Sequence, residues 1–324
     1  MRTVFHRLLL RCLAGAALGL ASSVVATAQD SRPLTLVIPF AAGGSSDAMA
    51  RILAERLGTV LARSVVVEAR AGGSGLIASR YVLQQPADGR TLLLTSPTVL
   101  IILPKITKIE FEPTDVFTPV SNIGANPFLL AINAGLPAKT LVDFIALARQ
   151  RKGELNYASG GAGTSTHLVA ALLFKTAGVE LTHVPYRGGA PAVIDLLAGH
   201  VNAYFGNPVD FGGQASGGSI RILATSSDKR SADLPDVPTV AETYPGFRLV
   251  TWNGLVARTG TPADEINRIS MAIQKISKEP NYIERMNTLG FDVLGNSPQE
   301  FGETIKRDRV LWDDAITSAN ISMQ

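Results

Sequence analysis

Cysteine is nearly absent. The chain has 324 residues and one cysteine, Cys12, near its N-terminus. Downstream of it a disulfide framework and thiol chemistry are both excluded. An excess of one charge is also missing. Of 30 basic residues against 27 acidic ones, Arg2, Arg7 and Arg11 account for the whole surplus. Without them the charges balance, and the basic footprint expected of a nucleic-acid binder is gone. The apolar run Cys12–Val25 has 14 residues, short of the ~20 that span a bilayer. There is no G-x-S-x-G nucleophile elbow. His167, His183 and His200 stand apart from one another, with no His/Glu/Asp cluster at metal-ligand spacing. No metal and no cofactor are expected.

What is present begins with an export signal. Arg2, Arg7 and Arg11 form a basic region, Cys12–Val25 an apolar core, and Ala26-Thr27-Ala28 an A-x-A cleavage site. Twin arginines are lacking, and Arg11 before Cys12 does not suit a lipoprotein signal. The expectation is a periplasmic protein cleaved after Ala28, without an anchor. Roughly 296 residues then remain, enough for two lobes of about 150 each.

Strand and helix signals alternate through those residues, which predicts an α/β protein with mostly parallel sheets. Apolar runs at 34–38, 64–68, 91–95, 120–123 and 128–132 read as strands. A second series follows at 156–158, 182–184, 203–205, 221–225 and 250–257. The C-terminal third is helical, opening at a predicted Thr261 cap with Pro262 behind it. Crossings near 122–127 and 247–253 divide the chain into one lobe of 29–124 plus 251–324 and another of 125–250.

Two loops stand out. Leu34–Ile38 runs into Pro39-Phe-Ala-Ala-Gly-Gly-Ser-Ser-Asp47 and then a helix with Met49, Ile52, Leu53, Leu57 and Leu61 on one face. Strand, glycine loop and bare helix N-terminus form a pocket of free N–H groups suited to an anion. Ser159-Gly-Gly-Ala-Gly-Thr-Ser-Thr-His167 repeats that logic. If both face one crevice, they suit a ligand with two anionic ends, or one anion and a polar tail; glycine turns that simply join strand to helix are the alternative. Tyr186, beside Gly188-Gly189, is either a ligand contact or a half-buried loop residue. Asp47 either pairs with its helix dipole or faces the ligand. Trp252 and Asn253 line the cleft or serve as a hinge. Gly73-Ser-Gly-Leu-Ile-Ala78 fits G-x-G-x-x-A but lacks the acidic partner on the next strand, so a tight turn explains it. Ser159, His167 and Asp210 form a triad on paper only.

Taken in order, these segments resemble the Bug receptors, the extracytoplasmic solute receptors of tripartite tricarboxylate transporters. The resemblance rests on 39–47, Gly72-Gly-Ser-Gly75, Pro86-Ala-Asp-Gly-Arg-Thr-Leu92, Tyr157–Leu168 and His183-Val-Pro-Tyr-Arg-Gly188. Asp195-Leu-Leu-Ala-Gly199, Leu234-Pro-Asp-Val-Pro-Thr-Val240 and Gly260-Thr-Pro262 complete it. It implies a two-lobed, Venus-flytrap α/β binding protein without catalysis, a monomer that passes a small carboxylate to integral-membrane permease subunits. A sensor feeding a kinase and, more remotely, an exported hydrolase remain as alternatives. Ligand classes it allows are di- and tricarboxylates, acidic amino acids and aromatic acids. The ligand-binding candidates are Phe40, Ala42, Gly43, Gly44, Ser45, Ser46 and Asp47 on the first loop. On the facing side they are Ser159, Gly160, Gly163, Thr164, Ser165, His167, Tyr186, Asn207 and Asp210. Ala42 stands where the family usually has proline, Ala69 and Ala71 where it usually reads Asn-Arg-Pro, and Arg258-Thr259 where Pro-Ala is common.

Overall fold

A computed structural model describes residues 32–212, 217–231 and 234–319. The export signal and cleavage site expected from sequence lie outside the described residues. Eleven strands occur among them: β1 Leu34–Ile38, β2 Val65–Ala69, β3 Thr91–Thr95, β4 Phe117–Pro127, β5 Leu129–Asn133 and β6 Asn156–Ser159. The others are β7 Thr182–Pro185, β8 Ala203–Gly206, β9 Ile220–Thr225, β10 Val250–Arg258 and β11 Asp292–Val293. They form two sheets, one ordered β11-β4-β10-β3-β1-β2 and the other β7-β6-β8-β5-β9. The helices are α1 Ser45–Leu61, α2 Leu76–Leu83, α3 Leu103–Ile106, α4 Pro113–Val116, α5 Leu141–Gln150 and α6 Ser165–Thr176. After these come α7 Gly189–Ala198, α8 Pro208–Phe211, α9 Ala263–Ile276, α10 Pro280–Thr288 and α11 Pro298–Ala319.

Both sheets are mixed where mostly parallel ones are expected from sequence, and the antiparallel pairings share a cause. In the first sheet β1 is parallel to β2 and β3, whereas β10 is antiparallel to β3 and β4, and β11 to β4. In the second, β6 is parallel to β7 and β8, whereas β5 is antiparallel to β8 and β9. β5 and β10 are the strands on which the chain arrives from the other sheet. An arriving strand runs away from the crossing, while β1, β3, β6, β7 and β8 run towards it. Their C-terminal ends therefore converge on one cleft, where open α/β sheets bind ligands.

β4 is a single strand spanning Gly124, Asn126 and Pro127, residues that read as a break in sequence. Pairing with β10 on one side and β11 on the other overrides their local preference. The two crossings are stitched by Ser226, which is fully buried. Its N–H donates to the Phe128 carbonyl and its Oγ accepts from the Phe128 N–H, while Leu249 N–H donates to the Ser226 carbonyl.

The cores follow from the apolar spacing. α1 buries Met49, Ala50, Leu53 and Leu57 on one face, against Leu36 and Ile38 of β1 and Leu92 and Leu94 of β3. The second sheet buries Phe128, Leu130, Ile132 and Phe205 with Phe144, Leu168 and Leu173 from its helices. α9 starts at Ala263 with Pro262 as its cap residue. Thr261 instead turns its hydroxyl back to the Arg258 carbonyl at 2.7 Å.

α11 is more than a flank of the first sheet. It packs on β4 and also on α6, which belongs to the second sheet's layer. Its Phe301 is fully buried, with its ring 5.1 Å from Trp252 in an edge-to-face pair. The Trp252 indole N–H donates to Asp308 Oδ2 at 3.0 Å. Trp252 is thereby a packing residue that joins β10 to α11. Phe301→Ala is expected to cost about 3–5 kcal/mol of unfolding free energy, as for other buried aromatics cut to alanine. Urea titration checks this.

Candidate ligand-binding site

Loops at the converging strand ends line one cavity of about 530 Å³, its open mouth included. Phe40, Ala41, Gly44, Ser45 and Ser46 come from the segment after β1, and Ser96 and Thr98 from that after β3. Gly160, Thr164, Ser165 and Thr166 follow β6; Gly188 and Gly189 follow β7. Tyr204 and Asn207 end β8, and Thr251 and Asn253 begin β10. No lining residue carries a charge. The Ser96 hydroxyl, buried in this wall, has no hydrogen-bond partner among the described residues.

The cavity's polarity comes from backbone. Three helices begin at it: α1 at Ser45, α6 at Ser165 and α7 at Gly189. First-turn N–H groups have no carbonyl four residues back, and the aligned peptide dipoles add partial positive charge there. α1 and α7 start from glycine caps without a side-chain acceptor, whereas α6 is capped by its own Thr164. The N–H groups of Ser46, Thr166, Gly189 and Ala190 have no acceptor among the described residues. Each such donor given to a carboxylate is a charge-assisted bond worth about 1.5–3 kcal/mol.

Two positive helix ends meet closely here. A Cβ on Gly44 would lie 4.0 Å from the backbone nitrogens of Gly189 and Ala190. Asp210 lies at this junction, behind the cavity wall. Its Oδ2 accepts from Tyr204 Oη at 2.9 Å, from the Asn207 N–H at 3.0 Å and from Asn207 Nδ2 at 3.3 Å. The Ser45 N–H faces the carboxyl group from across the cleft, and Oδ1 has no hydrogen-bond partner among the described residues. Burial pushes its pKa above the usual carboxylate range, and those four donors pull against that. A Cβ on Gly189 would stand 2.4 Å from the carboxyl group, so the two fit only because residue 189 is glycine. Asp210, a ligand-contact candidate from sequence, is a bridge between the lobes.

Several other candidates serve the second loop from behind. Ser159 is fully buried, with its Oγ 2.7 Å from His183 Nε2 and 2.9 Å from the Gly161 carbonyl. His167 Nδ1 accepts the Gly163 N–H at 3.0 Å, which fixes its unprotonated nitrogen. The two imidazoles stack at 3.8 Å with 6° between planes, and Tyr157 stacks on His183 at 5.0 Å. Ser159, Gly163 and His167 thus brace the loop and stay out of the cavity wall. Ser159, His167 and Asp210 do not meet as a triad, since each is engaged with different partners.

On the first loop, Asp47 turns away from the cavity. Its Oδ2 accepts the Gly43 N–H at 3.0 Å and its Oδ1 pairs with Arg51 at 2.9 Å. Burial raises its pKa, but the Arg51 and Gly43 hydrogen bonds outweigh that and hold it below the usual range. It pins the loop to α1 and does not line the cavity. Ala42 and Gly43 form the loop's exposed tip. Tyr186 gives its hydroxyl to Asp195 at 2.5 Å and lies outside the cavity. The structure does bring together Phe40, Gly44, Ser45, Ser46, Gly160, Thr164, Ser165 and Asn207.

Ser96, Thr98, Thr251 and the α7 N-terminus were missed. The last had a readable signal, because His183–Gly189 is another strand, glycine loop and helix start. Thr98 had none. It opens a short π-helical segment, Thr98–Ile102, and its Oγ1 accepts the Ser165 N–H at 2.9 Å across the cleft. The Ala41 N–H likewise donates to the Arg187 carbonyl at 3.1 Å. The lobes of this structure are in hydrogen-bonded contact.

A two-lobed α/β protein with a polar, uncharged cavity between its lobes has the make-up of a solute-binding receptor. A family model described as the tripartite tricarboxylate transporter family receptor matches residues 49–321, and the chain belongs to that family of periplasmic binding receptors. It is 34% identical to protein BugT of Bordetella pertussis over 309 residues, 94% of this chain and 95% of that one. A Rhodopseudomonas palustris protein solved with adipate superposes with a TM-score of 0.88 at 32% identity, covering 91% of this chain and 99% of the other. MatC of the same organism, solved with bound malate, gives 0.84 at 27% identity, covering 89% and 99%.

The histidine stack has a pH signature. Burial lowers His167 to about 3, with the neighbouring His183 adding to the effect, and burial lowers His183 to about 4. The folded state therefore binds fewer protons than the unfolded one below an ordinary value near 6.5. This stability is fully present above pH 6.5 and is lost as pH falls through the window towards 4. Imidazole NMR shifts of both rings should stay constant from pH 7.5 to 5 while the unfolding midpoint falls over the same interval. Rings that titrate near 6.5 in the folded protein would contradict the assignment.

Proposed function

We propose that the chain is a non-catalytic periplasmic receptor that closes on a small carboxylate and presents it to membrane permease subunits. The observation that carries the reading is the convergence of three helix N-termini on a cavity whose lining has no charged side chain. Such a wall favours an anion through fixed dipoles and N–H donors. A cationic ligand would find no counter-charge in it. The ligand types borne by two of the similar structures, adipate and malate, are small dicarboxylates, in keeping with this chemistry.

In this reading the lobes divide at 124/125 and 250/251, and the hinge is the Phe128–Ser226–Leu249 stitch. α11 reaches from β4 to α6 beside it. Ligand contacts to both lobes favour the closed form by differential affinity. Arms from each lobe already meet at Ala41–Arg187 and Thr98–Ser165, so the ligand adds to a small existing interface. The residues proposed to face the ligand are Phe40, Gly44, Ser45, Ser46, Gly160, Thr164, Ser165 and Asn207, joined by Ser96, Thr98, Gly189, Thr251 and Asn253. Export with cleavage after Ala28 belongs to the same proposal.

A thermal-shift screen of the mature protein tests it. Mono-, di- and tricarboxylates, acidic amino acids and aromatic acids are compared with neutral sugars and nucleotides. A cognate acid at 100 times its Kd should stabilise the protein by about 2.7 kcal/mol, a rise in Tm of several degrees. A neutral sugar or nucleotide that raises Tm while every acid fails would overturn the proposal.

A further inference from the structure

The Gly72–Gly75 turn, part of which fits a dinucleotide pattern in sequence, lies outside the ligand cavity and reaches across to the other lobe. Gly72, Gly73, Ser74 and Gly75 have φ of 130°, 55°, 52° and 103° in succession. Ser74 is the one residue of the four with a side chain, and its φ of 52° and ψ of 32° are left-handed. A glycine adopts this backbone freely. A serine is strained by it, and a strained residue persists only where its surroundings enforce the conformation. What the serine adds is its hydroxyl, which donates to the Ala162 carbonyl of the facing lobe at 2.5 Å.

Both ends of that hydrogen bond are fixed. On the first lobe, the Gly75 carbonyl accepts from the buried Ser79 hydroxyl at 2.9 Å. A Cβ on Gly75 would stand 2.6 Å from Val99 Cγ2 and 3.3 Å from Pro39 Cβ. The turn is thus lodged between the segments after β1 and β3 that line the cavity. On the second lobe, the Gly161 carbonyl takes the Thr164 N–H at 3.2 Å, Thr164 Oγ1 at 2.7 Å and Ser159 Oγ at 2.9 Å. Ala162 lies inside this turn, between Gly160 and Thr164 of the cavity wall. Gly161 leaves room for the approach, since a Cβ there would stand 3.3 Å from Ser74 Oγ.

The hydrogen bonds Ala41–Arg187 and Thr98–Ser165 also join the lobes, and Ala41, Thr98 and Ser165 line the cavity. Ser74 and Ala162 do not; they line a neighbouring groove. A solute in the cavity leaves their hydrogen bond untouched, so the bond can act on it only through closure. We propose that Ser74 is a positioning residue for closure, whose hydroxyl clasps the lobes through Ala162 and slows release of the captured solute. This inference rests on the receptor reading above. Opening exchanges the clasp for hydrogen bonds to water, and the net worth of one such neutral bond is about two- to tenfold in the ratio of closed to open forms. The clasp forms only once the lobes have met, so its loss falls on the dissociation rate and spares association.

Amide hydrogen exchange and stopped-flow tryptophan fluorescence on wild type, Ser74→Ala and Ser74→Gly test the clasp. Both variants lose the hydroxyl, and glycine also relieves the left-handed strain, so Ser74→Gly should keep the wild-type urea midpoint or exceed it. The Ala41 and Ser165 amides, which donate between the lobes, should exchange about two- to tenfold faster in both variants without added solute. Arg70 and Tyr186, whose amides donate within one lobe, should exchange as in wild type. With malate or adipate as the probe, dissociation should quicken by the same factor while association stays unchanged. Ala41 and Ser165 amides that exchange alike in all three proteins would overturn the clasp and leave the receptor reading intact. So would slower association, or equal loosening at Arg70 and Tyr186, since Ser74 would then serve only the folding of its own lobe. If neither acid binds the wild type, amide exchange alone decides the clasp, and the wider screen decides the receptor reading.

Discussion

Like partial charges repel, and this protein is built around forcing them together. α1 of one lobe and α7 of the other point their positive N-terminal ends at the same spot, with Gly44 and Gly189 close enough that side chains would intervene. Such an arrangement needs negative charge between the ends. Asp210 supplies part of it from behind, hydrogen-bonded to Asn207 and Tyr204 and facing the Ser45 N–H. In the proposed mechanism the ligand carboxylate supplies the remainder from the cavity side. Capture of an anion and closure of the lobes are then one electrostatic event.

The supporting structure follows from that requirement. Strands that end at the cleft must run towards it, so the chain inserts β5 and β10 against the grain each time it changes lobe. Loops that present helix ends to the cavity must be rigid, and the first two are braced by groups that do not line it. Asp47 ties the first loop to Arg51 and Gly43. The His167–His183 stack and Ser159 tie the second. These polar and titratable groups drew attention in the sequence because they resemble functional chemistry. In this structure their partners are the backbone and side chains of the loops themselves.

That explains which parts of the site were legible in the sequence. Ser45, Ser46, Thr164 and Ser165 lie on strand–glycine–helix units, a local pattern that survives folding unchanged, and the structure places them on the cavity wall. Asp47, His167, Tyr186 and Asp210 stand out in sequence by chemical type, but side-chain direction decides what they touch, and direction is a tertiary property. Thr98 and Thr251 carry no local signal, since only the crossing of lobes brings them to the wall. The fold was more legible, because the apolar runs of β1, β3 and β6 and the amphipathic spacing of α1 survive folding in the same way. The mixed sheets were not. Strand polarity depends on which strands follow a crossing, and the residues of β5 and β10 do not encode that locally.

The central claim is that backbone amides at helix N-termini, and no charged side chain, hold the ligand's carboxylate in the cavity. Amide NMR of the isotope-labelled mature protein, titrated with a carboxylate that binds it, tests this most directly. The account predicts that the N–H protons of Ser46, Thr166, Gly189 and Ala190 move downfield together and saturate at the ligand's Kd. If these four resonances stay unmoved at saturation, the account is contradicted.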